Sequence, residues 1–355
     1  MNDRMNMMDR TSSISVVVLN YNGKDLLEEC LTSLRRQTFR DFEVIIVDNA
    51  SEDGSAEIAR EQFPEYRLIL NSINEGTSGY NAGIEASLSR YVLLLNNDTA
   101  LDSNCLEEII KTGRRYPEVG MFALNILIYD KPGTRDSAGI AIYRDGTSKQ
   151  NCGLTLDDPH QLEPTPVLLP SGAAGVYKKE VLEIIGLFDP IFFAYCEDTD
   201  LGLRARLAGC ECLFIPTARV YHKVSSSWGA LFTKKAMLVE RNRFWLTVRT
   251  FPLRYLLSTP FYTLYRYFVQ IKAVIKRVGQ TSRLVNNIGI AGLCVFYLKI
   301  LIISLKGLPE AWHKRRRIMA SRGISSKEFG KLLRDFGISA EDIFLNPNES
   351  SFSRK

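Results

Sequence analysis

The sequence predicts an α/β fold with a mostly parallel sheet flanked by helices, followed by a helical C-terminal region. In the first hundred residues, short β-branched and apolar runs alternate with stretches of helical spacing, which is typical of βαβ units. After residue 245 the pattern changes to long stretches of aromatic, apolar and basic residues. Hydrophobic residues make up 45% of the 355 and charged residues 24%, as expected for a globular protein with a sizeable core.

The elements follow one another at βαβ spacing. The predicted strands are 14–19, 42–47, 67–70, 91–95, 119–124 and 212–216, and the predicted helices are 24–37, 55–62, 103–115 and 201–208. Strand 91–95 is an unbroken apolar and aromatic run, which indicates burial on both faces of a parallel sheet. Residues 129–170 are rich in Gly and Pro, and we expect loops and hairpin strands there.

Three of these strands are followed by polar clusters, which contain Asn20, Asp48 and Asp98. The carboxyl ends of parallel strands lie at one edge of the sheet, where such sheets bind ligands. Asp98 could therefore hold Mg²⁺ or Mn²⁺ against a diphosphate, since these ions prefer oxygen ligands. The alternative is that these side chains only cap helices and close turns.

Two common nucleotide-binding patterns are absent from the sequence. A dinucleotide dehydrogenase needs Gly-x-Gly-x-x-Gly directly after its first strand, but the turn here, 20–23, contains a single glycine. No Gly-Lys-Ser/Thr of a P-loop occurs. Side chains at the strand ends, together with a metal, remain as the means of holding a nucleotide.

Three carboxylates, Glu197, Asp198 and Asp200, follow an aromatic cluster at 188–195 and begin a predicted helix. Acids in a first helical turn favour the helix dipole, so one reading is a simple cap. A cap does not need the aromatic residues before it, however. A carboxylate beside apolar rings has a raised pKa and can take a proton from an acceptor hydroxyl.

Four motifs together resemble family 2 glycosyltransferases with the GT-A fold, a nucleotide-binding Rossmann-like architecture. The matching segments are 15–22, 47–51, 74–83 and 95–99, and the resemblance extends over 14–245. It is closest to bacterial rhamnosyltransferase-like and galactofuranosyltransferase-like members. The resemblance implies inverting transfer of a sugar, rhamnose or another hexose, from a UDP-, dTDP- or GDP-sugar.

The resemblance also implies roles for individual residues. Asp198 would be the catalytic base, and Glu197 would orient the acceptor or the base. Asp98 would bind the divalent metal, Mn²⁺ or Mg²⁺, with His222 as second ligand, because Asn97 stands where the family's motif has a second carboxylate. A lone histidine is more often structural, so that alternative stays open. The residues that would line the nucleotide and donor sugar are Asn20, Tyr21, Asp48, Asn74, Gly76, Asn81, Asn97 and Asp98.

The C-terminal region has a strong positive charge. Residues 251–330 contain 14 Lys or Arg against Glu310 and Glu328, a net charge of +12 in a chain of +5. The apolar run 288–305 is interrupted by Lys299 and falls short of the roughly 20 residues of a clean membrane span. This mixture, with the basic cluster 314–317, predicts helices lying on an anionic membrane surface. The alternative is a helical bundle packed on the catalytic domain. No motif indicates nucleic-acid binding.

The expected organisation is a disordered N-terminus at 1–13, a glycosyltransferase domain at 14–245, a helical region at 246–345 and a disordered tail at 346–355. Seven scattered cysteines and a polar N-terminus favour a cytosolic compartment without a secretory signal. We therefore expect a peripheral or monotopic enzyme at the cytoplasmic face of a bacterial plasma membrane, with a glycan or polyprenyl-diphosphate-linked acceptor. The alternatives are a nucleotidyltransferase and a non-catalytic membrane adaptor.

Overall fold

The computed structural model describes residues 12–131, 133–151, 162–223 and 232–345. Most of the two terminal segments expected to be disordered, 1–13 and 346–355, lies outside these ranges. Ser13 is described, and its amide donates to the carbonyl of Asp41 at 3.1 Å. Ser12 and Ser13 are therefore described although they belong to the segment expected to be disordered.

The strands lie mainly in the first two thirds of the chain. They are β1 (Ile14–Asn20), β2 (Phe42–Asp48), β3 (Arg67–Leu70), β4 (Tyr91–Asn96), β5 (Thr99–Leu101), β6 (Met121–Ile128), β7 (Arg135–Ser137), β8 (Ile140–Ile142), β9 (Ser148–Gln150), β10 (Thr165–Pro166), β11 (Ala174–Lys178) and β12 (Cys212–His222).

Helices connect these strands and form the C-terminal region. They are α1 (Lys24–Arg35), α2 (Ser55–Gln62), α3 (Tyr80–Ala86), α4 (Cys105–Arg115), α5 (Lys179–Ile185), α6 (Glu197–Leu207), α7 (Phe232–Thr250), α8 (Leu253–Ile275), α9 (Gly279–Lys306), α10 (Leu308–Ala320), α11 (Ser326–Asp335) and α12 (Ala340–Phe344).

One sheet organises the molecule, with strand order β10-β12-β6-β11-β4-β1-β2-β3. Strands β1 to β4 run parallel, and β11 lies antiparallel between β4 and β6. Asn20 is in register with Asp48, and Leu19 is in register with Asn96. The polar ends of β1, β2 and β4 therefore meet at one edge, as the sequence predicted. Asp98 itself lies in the turn after β4.

Both faces of the sheet are covered. Leu31 of α1 and Ile109 of α4 pack on one face with the buried Leu93 of β4. Ile84 of α3 and Leu201 of α6 pack on the other. This confirms the predicted α/β fold, and burial of β4 on both faces explains its unbroken apolar sequence.

The strand predicted at 212–216 is longer than expected. β12 continues to His222, and its pairing with β6 shifts register between Ile215 and Arg219. Pro216 lies within this irregularity, and a proline cannot donate to the ladder. Because a proline usually argues against a continuing strand, the sequence pattern does not indicate the part of β12 that follows Pro216.

The first C-terminal helix packs on the catalytic part of the chain. Trp245 and Leu246 of α7 are buried with Leu203 of α6 and Phe329 of α11. Helix α7 also runs through the predicted domain boundary at 245. For α7, α10 and α11, the alternative of a helical bundle describes the structure.

The basic cluster 314–317 was expected to lie on an anionic membrane surface. This expectation is wrong for Lys314 and Arg315, which bond within the protein. Lys314 pairs with Asp189 at 2.6 Å. Arg315 is buried and donates to the carbonyls of Val248 and Phe251 at 2.7 and 2.6 Å. These side chains hold α10 against the preceding elements, while Arg316 and Arg317 are exposed.

Candidate functional site

Asn20 joins the ends of three strands beneath the site. Its side chain is fully buried, and its Nδ2 donates to Asp48 Oδ2 and to Ser55 Oγ, both at 2.8 Å. Its Oδ1 accepts from Asn97 Nδ2 at 2.7 Å. A Cβ added to Gly23 would lie 1.9 Å from that Nδ2, so any larger residue there would displace the Asn97 side chain from this contact. The side chains of Asn20 and Asn97 thus link the strand ends beneath the sheet edge, whereas the neighbouring Tyr21 is exposed.

The loop after β3 is held by a second buried amide, Asn49. Its Nδ2 donates to the carbonyl of Gly76 at 2.8 Å and to Asn74 Oδ1 at 3.1 Å. Its Oδ1 accepts from Asn71 Nδ2 at 3.0 Å. Asn74 Oδ1 also accepts from the amide of Gly76 at 2.8 Å. The segment 71–76 is therefore fixed beside the strand ends. It is called here the donor loop, because the resemblance predicts that it lines the nucleotide-sugar donor.

Asp98 and His222 face each other across the edge. Asp98 Oδ2 lies 3.4 Å from His222 Nε2, and Asp136 Oδ2 lies 2.8 Å from His222 Nδ1. Burial opposes the charged imidazole, but the hydrogen bonds to Asp136 and Asp98 raise the pKa of His222 to about 9. The two carboxylates fix the orientation of the ring.

This group of residues fits a divalent metal. Asp98 Oδ1 is buried and has no hydrogen-bond partner among the described residues. Beside it stands an imidazole whose second nitrogen is held by a carboxylate, the arrangement that orients metal-binding histidines. No group of three or more His, Cys, Asp or Glu with metal-binding geometry occurs in the described ranges. Asp98 and His222 would therefore need ligand oxygens from a diphosphate or water.

The segment 193–196, called here the acid loop, has an unusual backbone. Phe193, Tyr195 and Cys196 have φ of 59°, 70° and 66° although none is glycine. Such conformations are costly and persist only when their surroundings impose them. Asn242 of α7, fully buried, supplies that constraint by donating to the carbonyls of Phe192, Ala194 and Tyr195 at 2.9, 2.9 and 2.7 Å.

The acid loop presents Glu197 and Asp198 at the start of α6. Asp198 Oδ2 accepts from the amide of Gly172 at 3.1 Å, and its Oδ1 accepts from the amide of Thr199 at 2.6 Å. Glu197 Oε2 is buried without a hydrogen-bond partner among the described residues. Burial and the neighbouring Asp198 raise the pKa of Glu197 to about 8, and burial raises the pKa of Asp198.

Tyr80 lies close enough to both groups of acids to be affected by their charges. Its hydroxyl donates to Asn96 Oδ1 at 2.9 Å. Burial raises the pKa of Tyr80, and the charges of Asp98 and Glu197 raise it further. The ring also lines a small cavity with Thr77, Glu197 and Asp198. The edge thus brings the Asp98 pair, the donor loop and the paired acids into one site.

Another predicted residue, Asn81, makes its side-chain hydrogen bonds with the protein backbone. Asn81 uses both halves of its amide on the backbone of Phe188, as donor at 2.9 Å and acceptor at 3.0 Å. It fixes the segment leading to the acid loop. Sequence reasoning assigned no role to Asn49, although it lies in the matching segment 47–51. It missed Asp136 and Asn242, since a single polar residue within a hairpin or a helix carries no motif.

The chain is similar in sequence to known proteins. Residues 15–183 match the family model "Glycosyl transferase family 2". An N-acetylglucosaminyl-diphospho-decaprenol L-rhamnosyltransferase of Mycobacterium tuberculosis is 27% identical over 246 residues, which cover 62% of this chain and 78% of that protein.

Two solved structures share the fold. The mannosyltransferase PcManGT of Pyrobaculum calidifontis, in complex with GDP-Man and Mn²⁺, has a TM-score of 0.50 at 16% identity and covers 92% of this chain and 88% of its own. GalNAc-T7 with UDP, GalNAc and Mn²⁺ has a TM-score of 0.55 at 17% identity, and the match covers 70% of this chain and 49% of that one.

The protein therefore shares the GT-A fold with these two structures. More narrowly, residues 15–183 are a family 2 glycosyltransferase domain, as the four sequence motifs predicted.

Proposed function

We propose that this glycosyltransferase moves a sugar from a nucleoside diphosphate sugar to a hydroxyl of a lipid-linked glycan or polysaccharide precursor, with inversion at the anomeric carbon. The observation that carries the proposal is the position of Tyr80. Its side chain lines a cavity with Glu197 and Asp198, a group suited to proton transfer, and its hydroxyl is influenced by the charge of Asp98, which with His222 is suited to a diphosphate. Such a site has separate places for a leaving group and an attacking hydroxyl.

The donor would lie along the strand ends. Tyr21, Asp48 and the donor loop would border the nucleotide. Gly76, whose carbonyl accepts from Asn49 and whose amide donates to Asn74, would approach the sugar. Asp98 and His222 would hold a divalent cation. That cation, when bound, would stabilise negative charge on the diphosphate oxygens. Asp136 keeps the His222 ring aimed at Asp98.

Asp198 would act as the base. Its Oδ1 and Oδ2 accept backbone N–H groups, which fix the carboxylate in place. The hydroxyl proton passes to Asp198 as the acceptor oxygen bonds to the anomeric carbon. The bond from that carbon to the diphosphate oxygen breaks, and the nucleoside diphosphate leaves with the electron pair. The raised pKa of Glu197 favours its protonated form, which can donate a hydrogen bond to the acceptor.

A polyprenyl-diphosphate-linked acceptor is favoured by the Mycobacterium relative, whose name describes rhamnose transfer to a decaprenyl diphosphate glycan. This supports rhamnose as the first sugar to test. The name of this relative equally supports an acceptor that is anchored in a membrane.

Two C-terminal helices have surfaces suited to a membrane. The exposed residues of α8 recur at intervals of four and three along one stripe: Leu257, Phe261, Leu264, Phe268, Ile271 and Ile275. Exposed basic residues lie nearby, among them Lys272, Lys276 and Lys299. An apolar stripe edged with basic side chains suits the surface of an anionic bilayer.

Helix α9 contains a segment, Thr281–Lys306, that is long and apolar enough to cross a membrane by length and composition. However, Gly289 has non-helical angles of φ 70° and ψ 174°, which break the helix. The regular part after the break would be about 25 Å long at 1.5 Å per residue, shorter than a hydrocarbon core of about 30 Å.

We therefore propose a peripheral or monotopic position at the cytoplasmic face of the plasma membrane. Flotation with phosphatidylglycerol vesicles tests it. Phe261→Glu with Leu264→Glu should release the protein from the vesicles. Leu88→Glu, at an exposed site far along the chain from α8, should not. Equal release by both changes would contradict a membrane role for the α8 stripe.

The function is tested by a donor screen. The purified protein is incubated with Mn²⁺ and a panel of UDP-, GDP- and dTDP-sugars in a detergent extract of bacterial membrane lipids, and the release of nucleoside diphosphate is followed. We expect release with one donor, lost on chelation of the metal. No binding and no release across the panel would instead support a non-catalytic adaptor. Pyrophosphate release from a nucleoside triphosphate and a sugar phosphate would support a nucleotidyltransferase.

A further inference from the structure

A second cavity of about 360 Å³ lies between the C-terminal helices and the hairpin formed by β8 and β9. It is separate from the strand ends where the donor would bind. Helix α7 contributes Lys235 to its wall, α9 contributes Leu284 and Phe296, and α12 contributes Phe344. The hairpin contributes Ser148. The volume lies in the range of pockets that bind small organic ligands.

This cavity adjoins the paired acids. Ser148 Oγ, in its wall, lies 3.1 Å from Thr199 Oγ1. Thr199 in turn donates its hydroxyl to Asp198 Oδ1 at 3.2 Å and its amide to the same oxygen at 2.6 Å. One residue thus separates the cavity wall from the proposed base. A molecule in the cavity would therefore lie one residue away from Asp198 and outside the donor site.

Two basic side chains of the cavity wall differ in whether a carboxylate neutralises them. Arg243 is neutralised within the protein, at 3.4 Å from Asp145 and 3.3 Å from Glu240. Lys235 has no carboxylate partner among the described residues, and its ammonium lies 5.0 Å from the centroid of the Tyr195 ring. An unpaired, partly buried ammonium attracts an anion, because pairing would offset the cost of its burial.

The opposite wall is apolar. Leu284 and Phe296 are buried with Ile300 in one cluster of α9, and Phe344 packs in the adjoining cluster around α12. Beyond them, the outer face of α9 exposes Ile290, Val295 and Leu298. A ligand with an anionic head and an apolar chain would match both walls and could continue toward a membrane.

We infer that this cavity binds the diphosphate and first isoprenoid carbons of the lipid-linked acceptor, with Lys235 as the diphosphate-binding residue. The inference rests on the proposed function, because it names the acceptor subsite of that reaction. It places the acceptor between the paired acids and the membrane-facing helices, on the side of Asp198 away from the donor loop.

The test is a binding measurement that needs neither donor nor turnover. The full chain is titrated calorimetrically with farnesyl diphosphate, farnesol and inorganic pyrophosphate, in the presence of EDTA so that the Asp98–His222 site does not contribute through a metal. We expect farnesyl diphosphate to bind at least tenfold more tightly than either of the other two. A saturating nucleoside diphosphate should not compete with it.

Lys235→Gln should weaken the binding of farnesyl diphosphate at least tenfold. Lys234→Gln removes the same charge from the adjacent, exposed position and should leave the affinity unchanged. Ala236→Leu, which fills part of the cavity, gives an independent variant should Lys235→Gln unfold, and it should weaken both farnesyl diphosphate and farnesol.

Equal affinity in the wild type, Lys235→Gln and Ala236→Leu would overturn the inference, as would full competition by the nucleoside diphosphate. Failure of the donor screen with intact farnesyl diphosphate binding would instead count against the proposed reaction. The two failures are therefore distinguishable.

Discussion

The carbonyl oxygen of Phe193 accepts hydrogen bonds from Thr77, from its amide at 2.8 Å and from its hydroxyl at 3.2 Å. Phe193 belongs to the strained acid loop, and Thr77 directly follows the donor loop. The two loops are 116 residues apart in sequence, yet this contact makes them one unit. The geometry of the donor and the position of the acids should therefore respond together to a change in either loop.

Gly76→Ala tests this coupling. The added Cβ would lie 2.1 Å from the Phe193 carbonyl oxygen, and the backbone there has φ of 61°. The strain should be about 1–3 kcal/mol, and the loops should separate to relieve it. We expect both donor affinity and turnover to fall at least tenfold. Gly54→Ala is the control, since its φ of 85° is similarly unfavourable but no atom lies within 4 Å. Equal losses in both variants would argue that backbone strain alone is responsible.

Asn242→Ala removes the hydrogen bonds that hold the acid loop. Leaving buried carbonyls without partners should destabilise the protein by about 1–3 kcal/mol. Because the loop positions Asp198, kcat should fall more than donor affinity. Gln37→Ala also removes a buried amide that bonds a backbone carbonyl, that of Asp102 at 2.8 Å. It should cost stability in a urea titration but leave kcat of the folded protein unchanged. A similar kcat in both variants would rule out a positioning role for Asn242.

Asp136→Asn tests the metal pair without touching either proposed ligand. The change weakens the hydrogen bond that orients His222, and loss of such a carboxylate typically lowers metal affinity by about 10–100-fold. Binding can be followed from the electron paramagnetic resonance signal of free Mn²⁺, independently of activity. Asp130→Asn, an exposed change nearby in the sequence, is the control. Unaltered Mn²⁺ affinity in Asp136→Asn would show that His222 does not ligate the metal.

Glu197 should make stability depend on pH. Its pKa is raised from an ordinary 4.5 to about 8, so between these values the folded state binds more protons than the unfolded state. The free energy of unfolding should therefore fall as pH rises from about 5 to about 8. Glu197→Gln should flatten this slope in thermal unfolding measurements on metal-free protein. Glu183→Gln, at an exposed position, should not. An unchanged slope in Glu197→Gln would contradict a buried, protonated Glu197.

The strand ends were predictable because the signals are local. An unbroken apolar run followed by Asn and Asp identifies β4 and its edge, and parallel pairing then brings Asn20 and Asp48 together. The paired acids were predictable for the same reason, since aromatic residues and acids are adjacent in sequence, although α6 begins at Glu197, four residues before the predicted start at 201.

Other parts of the site depend on contacts between distant segments. Asp136 reaches His222 only because β7 pairs with β6, which pairs with β12. Asn242 reaches the acid loop only because α7 packs on α6. Likewise, the sequence shows four basic residues at 314–317 but not that Lys314 pairs with Asp189 and that Arg315 bonds the carbonyl of Val248. The spacing of residues along the sequence does not predict such contacts between distant segments.

The most direct test of the account compares donor binding with turnover in Asp198→Asn. The donor found by the screen is used, with membrane lipid extract as the source of acceptor. Sugar transfer should fall by about 10²–10⁴-fold, as for loss of a general base, while the dissociation constant of the donor should stay within threefold of wild type. Transfer within tenfold of wild type, or a parallel loss of donor binding, would contradict Asp198 as the base.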